Sequence, residues 1–388
     1  MSSEGSANRV YGLDLIRGVC ALAVCLYHVF LWTGVADLHT LGTYGVYIFF
    51  VVSGASLYIG YAERHFGKSE IKRFFLRRFF RLAPLYIGIV CFWVLLTLTL
   101  SRNVPGVGTL LLNVSLLFGF ANPGDTSIVT GGWSIGIEVV FYVLFPLLLP
   151  LVRSRLWLAL LGVSFISQHA YIRSVLDTAN DLPEAWTDYT QPLSFIFYFV
   201  AGLCLARAVR HGQLPHSRWY WLPMAFLLAI LFTVPSANYK SILLGPAGWT
   251  LSLMAVLVAV SSAGLHLGTR SRAIAELMGS MSYGLYLIHP FVYGFLIQLT
   301  PEYASYPLTL ALCTAFVSGA LGLAVDRFYE KPIRTWLESK AFRSSGRIQQ
   351  TQSRHLEEYR WVPASSSPNL NDQTNAVLGQ DPHGGLPK

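Results

Sequence analysis

Charge is scarce in this chain of 388 residues: 12% are Asp, Glu, Lys or Arg, against 53% hydrophobic. A soluble domain carries about 25% charged residues, so an ordinary water-soluble fold is excluded. Cysteine is sparse as well. The five present (Cys20, Cys25, Cys91, Cys204, Cys313) all fall in apolar runs. They show no metal-ligand spacing and are odd in number, which excludes a thiolate metal site or a disulfide framework and leaves small packing residues. No small-residue cleavage pattern follows the first apolar run, so that run is expected to stay as a span rather than leave as a signal peptide. No internal repeat divides the chain.

What the chain has instead is apolar runs long enough to cross a bilayer, whose ~30 Å hydrocarbon layer takes about 20 helical residues. Candidate spans cover roughly 13–33, 41–62, 80–100, 132–152, 156–172, 193–209, 218–234, 242–265, 279–299 and 308–326. The net charge is +8, and the basic residues sit beside these runs. Membrane topology therefore accounts for them, and nucleic acid is excluded as a partner. The loop 63–81, with Arg64, Lys68, Lys72, Arg73, Arg77, Arg78 and Arg81, is expected on the cytoplasmic side. Arg153 and Arg155, Arg207 and Arg210, and Arg270 and Arg272 mark further inside loops, whereas 173–192 carries Asp177, Asp181, Glu184 and Asp188 and suits the outside. The alternation works only if the short apolar stretch 109–120 does not cross; otherwise Arg153 and Arg155 would land outside. The fold class is therefore all-α: a polytopic membrane protein of about ten transmembrane helices with a short re-entrant or interfacial segment. Residues 1–12 form a cytoplasmic N-terminus and 13–340 a single membrane domain. Residues 341–388, rich in Ser, Gln, Asn and Pro, form a disordered cytoplasmic tail.

Ionisable residues inside spans are costly, by ~2.5–3.5 kcal/mol on insertion scales, and mark functional candidates. Three groups qualify. The first is Asp14, Arg17 and His28 in the opening helix. Eleven steps of 100° amount to about three turns plus 20°, so Arg17 and His28 share a face about 16 Å apart along the axis. Between them lie Ala21, Val24 and Cys25. A cation, a smooth wall and a titratable imidazole would suit a long, thin, phosphate-headed ligand. Alternatively Arg17 snorkels to the interface and His28 makes one structural hydrogen bond. The second is Glu138, preceded by Trp133 and Ser134 and followed by Tyr142. It could orient an imidazole, bind a sugar hydroxyl or pair with an arginine. The third is the basic stretch 73–84, where Arg78 and Arg81 are i, i+3 neighbours able to grip a phosphate, or simply an interfacial helix end. His289, next to Pro290, is read first as structural, bonding a backbone carbonyl that the proline frees, and second as another polar wall.

Taken in order, these stretches resemble the acyltransferase-three family, bacterial membrane proteins that O-acylate surface sugars. The resemblance runs from Leu13 to about Trp336. It rests on Leu13-Asp14-Leu15-Ile16-Arg17-Gly18, the Arg17–His28 spacing, Phe49-Phe50-Val51-Val52-Ser53-Gly54, and Arg78 with Arg81. It continues through Trp133-Ser134, Glu138 and Phe141-Tyr142, then Ser282 to Pro290 and Glu330-Lys331-Pro332. Two departures are Ala55, where the family has Phe, and Val139-Val140, where it often has a polar residue.

The resemblance implies a cytoplasmic acyl-CoA donor, acetyl-CoA first, and a glycan, exopolysaccharide or glycolipid acceptor. It implies His28 as the catalytic residue and Arg17, Arg78 and Arg81 as donor-binding. Glu138 would set the His28 tautomer or hold the acceptor. Asp14, Ser53, Trp133, Tyr142, Tyr286 and His289 would support the site or the acceptor. No metal and no permanently bound cofactor is expected; the lipid bilayer is a partner, and a homo-oligomer is left open. The expected location is the bacterial inner membrane with both termini cytoplasmic. Some family members carry a further esterase-like domain; the short polar tail here implies that any such step belongs to a separate protein. The thioester would reach His28 along the Ala21/Val24/Cys25 wall, where His28 acts as general base or carries the acyl group as acyl-histidine. Two rival readings are a transporter or flippase, which predicts paired, interrupted helices, and a receptor or scaffold, which predicts that His28, Glu138 and Arg17 tolerate replacement.

Overall fold

The computed structural model describes residues 9–36, 38–234 and 238–342. The segment 343–388, and with it nearly all of the expected polar tail, lies outside the described residues. The chain divides into Met1–Trp336 and Leu337–Lys388; of the second unit only 337–342 are described, and they are helical.

Every regular element among the described residues is helical, as the apolar runs require when no water is present to satisfy backbone groups. The first long helices are α1 (Tyr11–Thr33), α2 (His39–Tyr61) and α3 (Lys68–Thr99). The short α4 (Val107–Ser115) and α5 (Pro123–Thr126) precede α6 (Trp133–Arg153) and α7 (Trp157–Thr178). Then come α8 (Trp186–Tyr189), α9 (Ile196–Arg210), α10 (Trp221–Thr233) and α11 (Tyr239–Leu243). The series ends with α12 (Gly245–Ala263), α13 (Thr269–Leu299) and α14 (Pro307–Val325).

A helix stands at each of the ten expected spans, but seven are both long and apolar enough to cross a membrane. These are α1, α2, α3, α6, α9 with its preceding turn, α12 and α14. The apolar helix containing α10, Arg218–Thr233, is too short. Helices α7 and α13 are long enough, but Gln168, His169 and Arg173 in the one, and Tyr283, Tyr286, His289 and Pro290 in the other, lower their hydropathy. The outward surface is apolar: Phe316 is 77% exposed, Leu147 70% and Phe226 66%. Such side chains suit lipid, not water.

The stretch 109–120 does not cross. Helix α4 has nine residues, about 13 Å, and the chain then turns at Leu116 and Asn122, both with positive φ. Asn113 locks this turn. Its Nδ2 donates to the carbonyls of Thr109 (2.8 Å) and Thr126 (2.7 Å). Its Oδ1 accepts from the Tyr86 hydroxyl (2.7 Å) and the Ile128 amide (3.1 Å). All four hydrogen bonds an amide side chain can make are thus filled.

Helix α1 packs along α13, α13 along α14, and α2 along α9. Glycines allow the closest approach: a Cβ on Gly54 would meet the Phe199 carbonyl, and one on Gly202 that of Val51. Small residues at helix crossings are how helices associate where lipid supplies no hydrophobic drive. Arg153 donates to the carbonyls of Tyr61 (3.2 Å) and Arg64 (2.9 Å), and Arg210 pairs with Glu63. The basic loops expected inside therefore gather at one end of the bundle. The segments 122–125 and 186–191 meet at the other, through Thr187 with Asp125 (2.8 Å) and Gln191 with Asn122 (3.0 Å).

Candidate active site

Two polar centres lie in the bundle. The first is built where α1 crosses α13. His28 projects from α1, and its Nδ1 lies 2.9 Å from Nε2 of His289 on α13. His289, 1% exposed, has its Nδ1 3.1 Å from the Leu285 carbonyl. That carbonyl is one residue before the one Pro290 frees, so the expected structural bond exists with a shifted partner, and the ring serves the site as well. Trp32, one helical turn after His28, stacks on its ring with centroids 5.0 Å apart and planes 12° off parallel.

His28 opens onto a cavity of about 100 Å³ that is partly open to its surroundings. Tyr27 and Tyr47 line it from α1 and α2, Trp133 and Tyr286 from α6 and α13, and Trp186, Tyr189 and Tyr239 from the connecting segments. Their hydroxyls are ordered. Tyr286 approaches Ser134 Oγ and donates to the Gly131 carbonyl, each at 3.0 Å. Tyr27 and Tyr239 share a bond of 2.7 Å, and Tyr47 bonds Tyr189. Gly131 has φ +76°, and a side chain there would press on the Tyr286 hydroxyl. Aromatic faces with hydroxyl rims present apolar surface and hydrogen-bonding tips together, the surface a sugar ring also offers.

The second centre surrounds Glu138 on α6. Its Oε1 accepts from Ser53 Oγ and the Tyr142 hydroxyl, both at 2.6 Å. Arg17 and Arg81 interact electrostatically with Glu138 and Tyr142, and Arg81 also with Glu330 and Tyr283. Arg17 donates to Ser56 Oγ at 3.2 Å. Arg78 lies over the rings of Tyr61 (5.4 Å), Phe74 (5.8 Å) and Tyr142 (5.8 Å). Its Nε and Glu330 Oε1 are buried without hydrogen-bond partners among the described residues. Three arginines and the carboxylates of Glu138 and Glu330, with Asp14 acting on Arg17, thus make this a densely charged centre, whose arginines can meet an anionic ligand.

The expected site residues thus divide. His28, Trp133 and Tyr286 line the cavity and His289 bonds His28, whereas Glu138, Ser53, Tyr142, Arg17, Arg78 and Arg81 belong to the cationic centre. Asp14 pairs with Arg9 at 2.6 Å, and Arg9 reaches Glu276 at the start of α13 (3.2 Å); Asp14 also interacts electrostatically with Arg17 of the cationic centre. The hydrogen-bond partner of His28 is His289, whereas Glu138 bonds Ser53 and Tyr142. One expectation needs correcting. The Ala21/Val24/Cys25 stripe is not an open wall, because Ala21 and Cys25 are buried against Leu285 and Ala315, and only Val24 faces the cavity. Phe49 packs on that small cluster and edge-on to Tyr286, 5.6 Å between centroids. Sequence reasoning missed Trp32, although its i+4 spacing from His28 was readable, and missed Ser56, Trp186, Tyr189 and Tyr239, whose roles come from distant contacts.

A family model described as "Acyltransferase domain" matches residues 10–325. Acyltransferase MdmB of Streptomyces mycarofaciens is 28% identical over 358 residues, covering 82% of this chain and 87% of that protein. YrhL of Bacillus subtilis (strain 168), provisionally named a peptidoglycan O-acetyltransferase, is 28% identical over 373 residues, 87% of this chain but 56% of its own length. Nodulation protein 10 of Rhizobium leguminosarum bv. viciae is 24% identical over 328 residues, 77% of this chain and 87% of that protein. No solved structure matches the chain.

Proposed function

The chain belongs to this acyltransferase family, and from that premise we propose that it transfers an acyl group, acetyl first, from cytoplasmic acyl-CoA to a hydroxyl of a cell-surface glycan or glycolipid. The observation that carries the reading is the pairing of the two centres: an imidazole on an aromatic, hydroxyl-rimmed cavity, and an arginine cluster nearer the basic end of the bundle. The acceptor sugar occupies the cavity. The donor phosphates meet Arg17, Arg78 and Arg81, and the pantetheine arm runs toward Val24. The name of the Bacillus relative supports a glycan acceptor. In this reading the basic loops and both termini face the cytoplasm of a bacterium and the 122–125 and 186–191 segments lie outside its inner membrane.

In the reaction, His28 takes the proton of the acceptor hydroxyl as its oxygen forms a C–O bond with the thioester carbonyl. The tetrahedral adduct collapses, the C–S bond breaks, and the thiolate recovers the proton from His28. The products are an ester and free CoA, with atoms and charge balanced. General-base catalysis contributes about 10²–10⁴-fold, and positioning of the two substrates supplies further acceleration. Glu138 holds Arg17 and Arg81 in place for the donor, with Ser53 and Tyr142 fixing its own carboxylate.

The experiment is acyl transfer by purified protein in bilayers, with acetyl-CoA and a glycan mixture, followed by mass spectrometry of the glycans. Acetylated glycan from wild type and none from His28→Ala is the expected result. Glycan movement across the bilayer without acyl-CoA consumption would replace this reading with a transporter.

A further inference from the structure

The His28–His289 contact contains more than proximity, because one end of the chain of hydrogen bonds has a fixed direction. The Leu285 carbonyl can only accept, so Nδ1 of His289 carries the hydrogen at their 3.1 Å contact. In a neutral ring the other nitrogen, Nε2, is then a lone pair. That lone pair faces Nδ1 of His28 at 2.9 Å, so Nδ1 of His28 must donate. Nε2 of His28 is left with the free lone pair. A cationic His289 would reverse the middle bond, but a buried cation needs a counter-charge. The electrostatic neighbour of His28 is His289, and His289 itself is held by the backbone of Leu285 and Tyr286; no carboxylate stands beside either ring among the described residues. Trp32 stacks on His28 and reaches His289, 6.1 Å between centroids, which holds both rings in one orientation.

We propose that His289 is a positioning residue that fixes His28 as its Nδ1-protonated tautomer, so that Nε2 is the atom that receives the acceptor proton. The inference deepens the acyltransferase reading and rests on it for the identity of that proton. Once His28 is protonated at Nε2, its Nδ1–H still points at the His289 lone pair, which steadies the imidazolium until the thiolate takes the proton back. The Nδ1 proton of His28 stays in place throughout; only the proton on Nε2 comes and goes.

The test is nitrogen NMR of the full-length protein in bilayers with ¹⁵N-labelled histidine, the His28 signals being those that vanish in His28→Ala. Nδ1 protonated and Nε2 bare on His28 is the expected result for wild type. His289→Gln keeps an acceptor oxygen near the Nε2 position and should keep that tautomer. His289→Leu keeps the volume and removes the acceptor, and should release His28 to the opposite tautomer. In turnover, kcat of His289→Leu should fall about 10²-fold or more, with the KM values of both substrates within about threefold, and His289→Gln should recover most of the loss. A bare Nδ1 on His28 in wild type, or an unchanged tautomer in His289→Leu, would overturn the proposal. The NMR arm needs no substrate, so an inactive protein with the expected tautomers would contradict the acyltransferase reading and leave the positioning role standing.

Discussion

At the scale of single residues, the cationic centre and the Asn113 lock make separate demands. Replacing Arg81 by Ala removes one donor-facing cation beside Glu138 and Glu330. The account predicts that the apparent KM for acyl-CoA rises about tenfold or more while kcat changes less, because the lost interaction is with the bound donor. Steady-state thiol release against acyl-CoA concentration checks it. Asn113→Ala removes a partner from the Tyr86 hydroxyl, the Ile128 amide and the Thr109 and Thr126 carbonyls. A buried unsatisfied group costs about 1–3 kcal/mol, so a clear drop in the thermal unfolding midpoint is expected. The Arg17–His28 stripe was legible in the sequence because helical spacing places residues 17 and 28 on one face. The partners were not: Ser53 and Glu138 are 85 positions apart, and His28 and His289 are 261 apart. Periodicity carries no information about which distant helix a face will meet, so Glu138 was as reasonable a partner for the imidazole as His289.

At the scale of elements, the α2–α9 crossing depends on glycine. A Cβ at Gly202 would run into the Val51 carbonyl, which belongs to backbone and cannot swing aside, while one at Gly67 meets nothing within 4 Å. Gly202→Ala should therefore lower the yield of monodisperse protein and its melting temperature, and Gly67→Ala should leave both within error. Size-exclusion profiles of the two variants side by side decide the point. The positions of the helices were legible from apolar run length, and the non-crossing of 109–120 from charge alternation alone. The short α8 and α11, which supply part of the cavity wall, were not. Each has too few residues for a periodic signal, and each is placed by contacts such as Trp186 to the Gly124 carbonyl (3.4 Å) and Tyr44 to the Ile242 carbonyl (2.7 Å). Helix α13 was legible as the run 279–299, and among the polar residues that lower its hydropathy Tyr286 lines the cavity and His289 bonds His28.

At the scale of the whole molecule, the two ends of the bundle differ in charge and in proposed exposure. With the native cysteines replaced, His65→Cys and Ser154→Cys should react with an impermeant thiol reagent only from the cytoplasmic side, and Thr187→Cys only from the outside. Labelling of intact cells and of inverted vesicles separates these, and labelling of residues 65 and 187 from the same side would contradict the orientation. The same two-ended layout gives the central claim its form. In the proposed reaction donor and acceptor arrive from opposite faces and meet at His28. Ala21 and Cys25, between Arg17 and His28 on α1, are packed against Leu285, Ala315 and Phe49, so a donor arm following the proposed route would meet these side chains. The measurement that tests this most directly is thiol release from acetyl-CoA by purified protein, wild type beside His28→Ala, with a glycan acceptor present. The account predicts acceptor-dependent release by wild type and at least a 10²-fold loss in the variant, with both proteins equally folded. Equal release by the two, or none by either under conditions where the protein is folded and the acceptor mixture complete, would contradict it.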